Sequence, residues 1–499
     1  MSTDVDLFVI GGGINGAAVA RDAVGRGLSA RLAEMGDYAH ATSSASSKMI
    51  HGGLRYLEYY EFRLVRESLR EREVMLKIAP HLVSPMRFLF PITGDAPRPA
   101  FIVRIGLWLY DILSGRQMLE PTGRLSAEQV RALPRLKTAD IKAILHYPDC
   151  WADDSRLTLE TLLDARERGA DIGNYREVTA VRRDGDGYRV AYRDAGDDIG
   201  GARECHARFV VNAGGPWVNR VLDRYGDAPS RRKIKLVRGS HIVLAMPDPP
   251  QRDAYTLQND DRRVVFVLPW MERYLLIGTT DIVHNGDPGD VHCSAAERDY
   301  LLAAYRRYFD HPVGVDDVIW TYAGVRPLVD DGADNPSKLT RDYVLEIEPA
   351  GAGGSITVYG GKITTHRRLA EKVLDALAGL GAKPGPAWTA TAPLYGGHLD
   401  HAALERLARE DAPVPAEVRR RWTRTYGSRT RTLYDALRQD PEAATMIAPG
   451  IPRAELDYAV AVEDARGPED FLYRRTKLFL ALEPEERAAI ERWFAARPS

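Results

Sequence analysis

A chain of 499 residues with 44% hydrophobic content can bury a large core, and its length predicts roughly two to four domains. The formal net charge of −2 excludes a general attraction to nucleic acid or to a membrane surface, so any such contact must come from a local patch. Three cysteines, Cys150, Cys205 and Cys293, stand far apart; they offer neither a disulfide framework nor metal-ligand spacing, and predict a reducing compartment and no metal site.

The first element is the most informative. A short apolar strand, Asp6 to Ile10, runs into Gly11, Gly13 and Gly16 at G-x-G-x-x-G spacing, and an alanine-rich helix pattern follows from Ala17 to Arg26. Gly11 permits a tight turn, Gly13 lets the backbone approach a pyrophosphate, and Gly16 lets helix and strand pack closely. The free N–H groups of the first helical turn, around Ile14 and Asn15, would face the phosphates. A second strand, Ser29 to Ala33, ends at Glu34, about 20 residues past the glycines, where a ribose-binding acid is expected. Glu34 would repel a 2′-phosphate, which argues against NADP.

Further along, Ala41 to Lys48 is a polar loop of small residues. Helical spacing is predicted over 58–79 and, after Pro97 and Pro99, over 101–113. A helix follows at 158–168, then strands at 178–192 and 207–211. The stretches 234–244 and 264–278 read as strand-rich, a β-sheet module inserted between parts of the nucleotide domain. A helix is predicted over 295–309, a strand over 356–359 and a helix from about 363 to 378. Lys383-Pro-Gly-Pro386 marks a boundary, beyond which the pattern is mostly helical. The N-terminus has no basic segment followed by an apolar core, which predicts no secretory leader, and no charge-free apolar run approaches the roughly 18 residues of a transmembrane helix.

Two later turns carry a second cofactor signature. Phe209-Val-Val-Asn-Ala-Gly-Gly-Pro-Trp217 is a strand running into small residues, and Ala213 and Gly214 would let the backbone pass close to a flat or phosphorylated ligand. Val358-Tyr-Gly-Gly-Lys-Ile-Thr-Thr365 again joins strand to helix, through Gly361, Lys362, Ile363 and Thr364. A nucleotide turn at the start and a returning glycine turn over 300 residues later suit FAD better than NAD, because a helix start there could stabilise negative charge on a reduced flavin.

Several motifs in one order carry a family likeness: Ala41 to Leu57, Arg238-Gly-Ser-His-Ile-Val243, Phe266-Val-Leu-Pro-Trp-Met271, Ile277-Gly-Thr-Thr-Asp281, Tyr322-Ala-Gly-Val-Arg-Pro-Leu328, Thr340-Arg-Asp-Tyr343 and Gly360-Gly-Lys-Ile-Thr-Thr365. The chain resembles the bacterial aerobic, FAD-dependent glycerol-3-phosphate dehydrogenases, over nearly its whole length and including Arg424 to Ser428 and Arg474 to Lys477. It departs from the family at Gly214, where Thr is usual, at His366, where Tyr is frequent, and in a short final domain. The resemblance implies an α/β (α+β overall) fold related to the D-amino-acid oxidases. It places a Rossmann-like FAD-binding domain at about 1–80, 140–230 and 320–385, a substrate module at about 231–319, and a helical domain at 386–499.

A glycerol 3-phosphate site needs fixed positive charge for the phosphate, a base for the C2 hydroxyl and a flavin to take the hydride. By resemblance Arg55, Arg326 and Arg341 are the phosphate candidates, with Tyr56 as a donor to substrate or flavin; for any single arginine a solvated surface charge is the alternative. His51 and His241 are the candidate bases, or else structural histidines. Lys362 would stabilise negative charge near the flavin, and Thr42, Ser43 and Ser47 would serve the pyrophosphate. The resemblance further implies oxidation to dihydroxyacetone phosphate with ubiquinone or a similar quinone as acceptor. It implies a cytoplasmic enzyme held peripherally on the inner face of the cell membrane, no nucleic-acid partner, and a homodimer as one allowed assembly. An apolar face of Phe101, Ile105, Trp108, Leu109 and Ile112 and a basic cluster from Arg419 to Arg431 are the candidate membrane contacts. The competing readings are a soluble glycerol-3-phosphate oxidase using oxygen, an amine or amino-acid oxidase, and a flavin-bearing module without turnover.

Overall fold

The computed structural model describes residues 4–115, 118–195, 203–227, 230–330 and 342–497. Strand Asp4–Ile10 pairs in parallel with Ala30–Ala33 on one side and Arg203–Asn212 on the other. Asp171–Gly173 and Gly353–Tyr359 extend this parallel core outward. The second half of the central strand, from Leu7 to Ile10, is apolar without a break because both its faces are covered. Leu7 and Val9 meet Ala17, Ala20, Leu159 and Leu369, while Phe8 and Ile10 meet Tyr188, Val210 and Leu222. Helix Ile14–Gly25 lies between Asp154–Glu167 and His366–Gly379 on the first face. The hairpin of Arg176–Asp184 and Gly187–Asp194 joins the same sheet against Arg203–Asn212.

A second, ten-stranded sheet forms the other large unit. Toward one end of it, Ile234–Ala245 pairs with both Tyr274–Gly278 and Val318–Val329. Its residues extend well beyond 231–319. The long antiparallel pair Val83–Thr93 and Ile141–Ala152 belongs to it, and Val318–Val329 sits in it rather than in the nucleotide domain. Pro85, Pro91 and Pro148 lie within that early pair, and proline reads as a strand breaker from sequence. Helix Ala295–Tyr308, opened by a Ser294/Glu297 capping box, covers one face of the sheet through Leu301, Leu302 and Tyr305. Helices Phe62–Ile78 and Ala100–Ser114 cover the other through Leu69, Leu107 and Tyr110.

The C-terminal residues form helices around Trp422, Tyr426, Leu433 and Tyr434. This unit is bolted to the nucleotide domain by buried charge. Arg475 grips Asp37 with two hydrogen bonds, 2.6 and 2.8 Å, and Arg474 Nε adds a third at 2.5 Å. Arg156 pairs with Glu463 at 2.6 Å, and Lys477 pairs with Asp153. Removing one partner of such a pair leaves a buried charge uncompensated, which typically costs about 3–5 kcal/mol.

Candidate active site

The glycine turn folds as its spacing demands. Gly11 has φ +111°, and a Cβ there would lie 2.6 Å from the Ala213 carbonyl oxygen, so the first and second nucleotide turns touch through backbone alone. A Cβ on Gly16 would lie 1.9 Å from the Gly11 carbonyl oxygen, which fixes glycine at that helix position. Gly13 caps helix Ile14–Gly25, and the Ile14 N–H donates to Ser43 Oγ at 3.0 Å.

Gly11, Gly13, Ile14 and Ser43 line one cavity of about 750 Å³ that also takes in Glu34, Ala213, Gly214, Gly361, Lys362, Ile363 and Thr364; Gly16 stands outside its wall. Asn15 ties its two ends: its Nδ2 donates to the Gly360 carbonyl at 3.0 Å. Glu34 is buried and already accepts from the Gly12 N–H at 2.6 Å and the Gly36 N–H at 2.8 Å. Its carboxylate is thereby aimed, with lone pairs left over for a ribose hydroxyl. Thr42, Ser43 and Ser47 all line the cavity, yet their hydroxyls also bond to protein. Thr42 Oγ1 donates to the Val325 carbonyl at 2.7 Å, and Ser47 Oγ lies 2.8 Å from His241 Nε2. Gly214 suits its place, since a Cβ there would come within 2.9 Å of Val221 Cγ2.

At the polar end, Arg326 on strand Val318–Val329 reaches Asp281 Oδ1 at 3.1 Å and Thr279 Oγ1 at 3.2 Å. Arg55 comes within 3.5 Å of the other oxygen of Asp281. Two guanidinium groups thus converge on one carboxylate, and all three line the cavity. Gly239 makes room for Arg326, whose Nη2 would lie 2.5 Å from a Cβ at that position. Lys362 sits with its ammonium 3.5 Å from the centre of the Tyr56 ring, and both residues line the cavity. Arg341 lies outside the described residues.

The histidines are placed differently. His51 lines the cavity, edge-on to Phe266 at 6.4 Å between ring centres. The loop behind it is held from below: the Gly52 N–H donates to Tyr110 Oη at 2.9 Å, and Tyr110 and Arg72 both donate to buried Asp149. His241 is only 1% exposed and lies behind Ser47, outside the cavity wall. Sequence reasoning gave no role to Asp281, Thr279, Asp149, Tyr110 or Arg72. The Thr-Thr-Asp triplet closing an apolar strand was the one local sign of Asp281; the others join residues too far apart in the chain to be paired by inspection.

His366 is buried at the start of helix His366–Gly379, and its Nδ1–H donates to the Ile363 carbonyl at 2.6 Å. Burial pushes its pKa from 6.5 down to about 4. As pH falls, the unfolded chain therefore takes up the proton first. The stabilisation from a neutral His366 is complete above pH 6.5 and is lost between 6.5 and 4, about 3 kcal/mol in all. Urea midpoints across that range are expected to fall more steeply for the wild type than for His366→Phe; parallel curves would show that His366 does not titrate this way.

A cavity with a glycine-turn helix start, a buried carboxylate at Glu34 and a cationic far end is the arrangement a flavin-dependent oxidoreductase requires. Residues 6–367 match the family described as FAD dependent oxidoreductase, and residues 387–495 match the C-terminal domain of alpha-glycerophosphate oxidase. The chain belongs to the FAD-dependent oxidoreductases and, within them, to the glycerol-3-phosphate dehydrogenase family; FAD is its cofactor. It is 44% identical over 496 residues to the aerobic glycerol-3-phosphate dehydrogenase of Escherichia coli, covering 98% of this chain and 97% of that one. It is also 44% identical over 497 residues to the D-erythritol 1-phosphate dehydrogenase of Brucella abortus, with the same coverage. The crystal structure of the Bacillus halodurans glycerol-3-phosphate dehydrogenase complexed with FAD is 30% identical, with a TM-score of 0.78 over 99% of this chain and 90% of that one.

Proposed function

We propose that the protein oxidises sn-glycerol 3-phosphate to dihydroxyacetone phosphate and passes the electrons to a membrane quinone such as ubiquinone. The observation that carries this reading is the convergence of Arg55 and Arg326 on Asp281 inside the cofactor cavity. Bound FAD supplies the hydride acceptor, reoxidised by the quinone. Arg55 and Arg326 hold the substrate phosphate in the planar, forked manner that lysine cannot copy. His51 takes the C2 hydroxyl proton, Lys362 stabilises negative charge beside it, and Phe266 and Tyr56 keep water from the reacting carbon. Asn15 and Gly361 hold the late turn against the first one, and Thr364 Oγ1 accepts from the His51 N–H.

The Brucella relative favours a second reading, a four-carbon polyol phosphate as substrate. Anaerobic titration of the purified protein with each compound, following loss of flavin absorbance, tests both. Stoichiometric bleaching by glycerol 3-phosphate is expected; bleaching by D-erythritol 1-phosphate alone would move the substrate to the second reading, and bleaching by neither would remove both. Peroxide yield measured against quinone reduction separates the oxygen-using alternative.

The route to a quinone rests on helix Ala100–Ser114. Phe101, Ile105 and Trp108 are exposed on it, Trp108 at 61%, with Tyr60 at 80% nearby in sequence to the Arg55 loop. Ile102, Ile105 and Leu109 also line the cavity, so the apolar outer face runs into the mouth of the site. This composition suits an interfacial helix and supports a peripheral membrane contact; the inner face of the cell membrane follows only from the resemblance. Among the described residues no helix is long and apolar enough to cross a membrane. The basic cluster is a weaker contact, because Arg421 is paired with Glu455, Arg424 with Glu272 and Arg429 with Glu167. Trp108→Ser with Leu109→Ser is expected to lower partition onto anionic vesicles about tenfold or more, at 1.5–3 kcal/mol for each large apolar group withdrawn from water, while FAD stays bound. Vesicle sedimentation read by flavin absorbance checks this; unchanged partition would exclude the helix as the contact.

A further inference from the structure

His241 is sealed in, yet it is built into the site with care. Its ring stacks on Tyr322, 4.7 Å between centres and 10° from parallel, and lies over Gly278, where a Cβ would come within 2.1 Å of it. Tyr322 in turn donates to the Ser46 carbonyl at 2.7 Å, so the ring and the Ser46–Ser47 segment are fixed to each other. His241 Nε2 lies 2.8 Å from Ser47 Oγ, while its Nδ1 is buried and has no hydrogen-bond partner among the described residues. Ser47 faces the cavity; His241 does not.

Burial, together with the Arg326 guanidinium and the Lys48 ammonium, holds the imidazole well below its ordinary pKa, so the ring is neutral and carries one N–H. Two tautomers are available. With the hydrogen on Nδ1, a buried donor would have no acceptor. With the hydrogen on Nε2, the donor is satisfied by Ser47 and only a lone pair is left over, the cheaper of the two defects. The Ser47 oxygen then accepts from the ring, so its own hydrogen must point elsewhere, and the open direction is the cavity.

We propose that His241 is a positioning residue whose Nε2–H fixes Ser47 as a hydrogen-bond donor into the cavity, toward the isoalloxazine ring of FAD and not the pyrophosphate expected from the resemblance, because His241 stands on the strand ladder that carries Arg326 and not at the glycine turn. It neither touches substrate nor takes its proton. A donor aimed at the flavin favours the electron-rich reduced form, so the pair serves the cofactor's reduction. The inference rests on FAD occupying the cavity; only its kinetic arm rests on glycerol 3-phosphate as substrate.

Three measurements on the holoenzyme test it. ¹⁵N-histidine NMR of the wild type is expected to show one imidazole, recognised by its response to Ser47→Ala, protonated at Nε2 and bare at Nδ1; protonation at Nδ1 overturns the proposal. Ser47→Ala is expected to make flavin reduction about tenfold less favourable, a midpoint about 30 mV lower for two electrons, with a shifted flavin spectrum. An unchanged midpoint and spectrum overturn the proposal. His241→Phe, which preserves the stack on Tyr322, should give a similar shift, and the double variant no more than either single change; additive shifts overturn it. The pH profile of flavin reduction by glycerol 3-phosphate should keep its ionisation limb in His241→Phe, and loss of that limb would make His241 the base. If His241→Phe does not fold, the NMR signal and Ser47→Ala still decide. The potentials are read with dyes and dithionite, so a failure of the substrate assignment leaves them standing.

Discussion

Gly16→Val is expected to yield colourless protein. The added Cβ would lie 1.9 Å from the Gly11 carbonyl oxygen, a backbone atom that cannot swing aside as a side chain would. The start of helix Ile14–Gly25 must therefore move off strand Asp4–Ile10, and the N–H groups that face the pyrophosphate move with it. Overpacking of this kind costs about 1–3 kcal/mol, and the displaced helix start loses its phosphate contacts as well, so FAD affinity should fall by about a hundredfold or more. Flavin content after purification, and after incubation with added FAD, measures it. Gly379→Ala is the control: a Cβ there meets nothing within 4 Å, and the protein should stay yellow. Full flavin content in Gly16→Val would mean that this contact does not shape the cofactor turn.

The second large effect is expected at Arg326. Its guanidinium reaches Asp281 and Thr279 at 3.1 and 3.2 Å, closer than Arg55 comes to Asp281 at 3.5 Å. Arg326→Lys keeps the charge but loses the fork, and should lower kcat/KM for glycerol 3-phosphate about ten- to a hundredfold with FAD bound. Arg326→Ala should cost more, about two to four orders of magnitude, if two charge-assisted hydrogen bonds at about 1.5–3 kcal/mol each are lost. Free glycerol, which lacks the phosphate, should reduce the wild-type flavin more slowly by a similar factor. Equal efficiency in wild type and Arg326→Lys would return Arg326 to an ordinary charged residue.

What could be read from the sequence is what is local. The strand–glycine–helix unit from Asp6 to Glu34 carries its meaning in contiguous residues, and the late turn at Gly360 to Thr365 repeats it. Strand Ile234–Ala245 and helices Phe62–Ile78 and Ala295–Tyr308 lie close to where apolar spacing puts them. The strands Val83–Thr93 and Ile141–Ala152 escaped because prolines interrupt their pattern, and the ladder tolerates them only in the folded sheet. The partners of the site residues escaped for another reason. Ser47 and His241 are 194 positions apart, Arg326 and Asp281 are 45, and Asp149 meets Gly52 across 97. Each pair is a product of topology. The resemblance offered both histidines as candidates, and burial separates His51, in the cavity wall, from His241, behind it.

The grip of Arg474 and Arg475 on Asp37 has a consequence for how the enzyme is made. Asp37 follows Glu34 by three positions, whereas its two arginines are synthesised 437 and 438 residues later. The nucleotide turn can form early from local interactions, but the buried carboxylate of Asp37 lacks these two guanidinium partners until they are made. Stable capture of FAD should therefore follow synthesis of the segment that carries Arg474 and Arg475, and a nascent chain stalled before Arg474 should retain the cofactor poorly even though every residue of its glycine turn has already been synthesised.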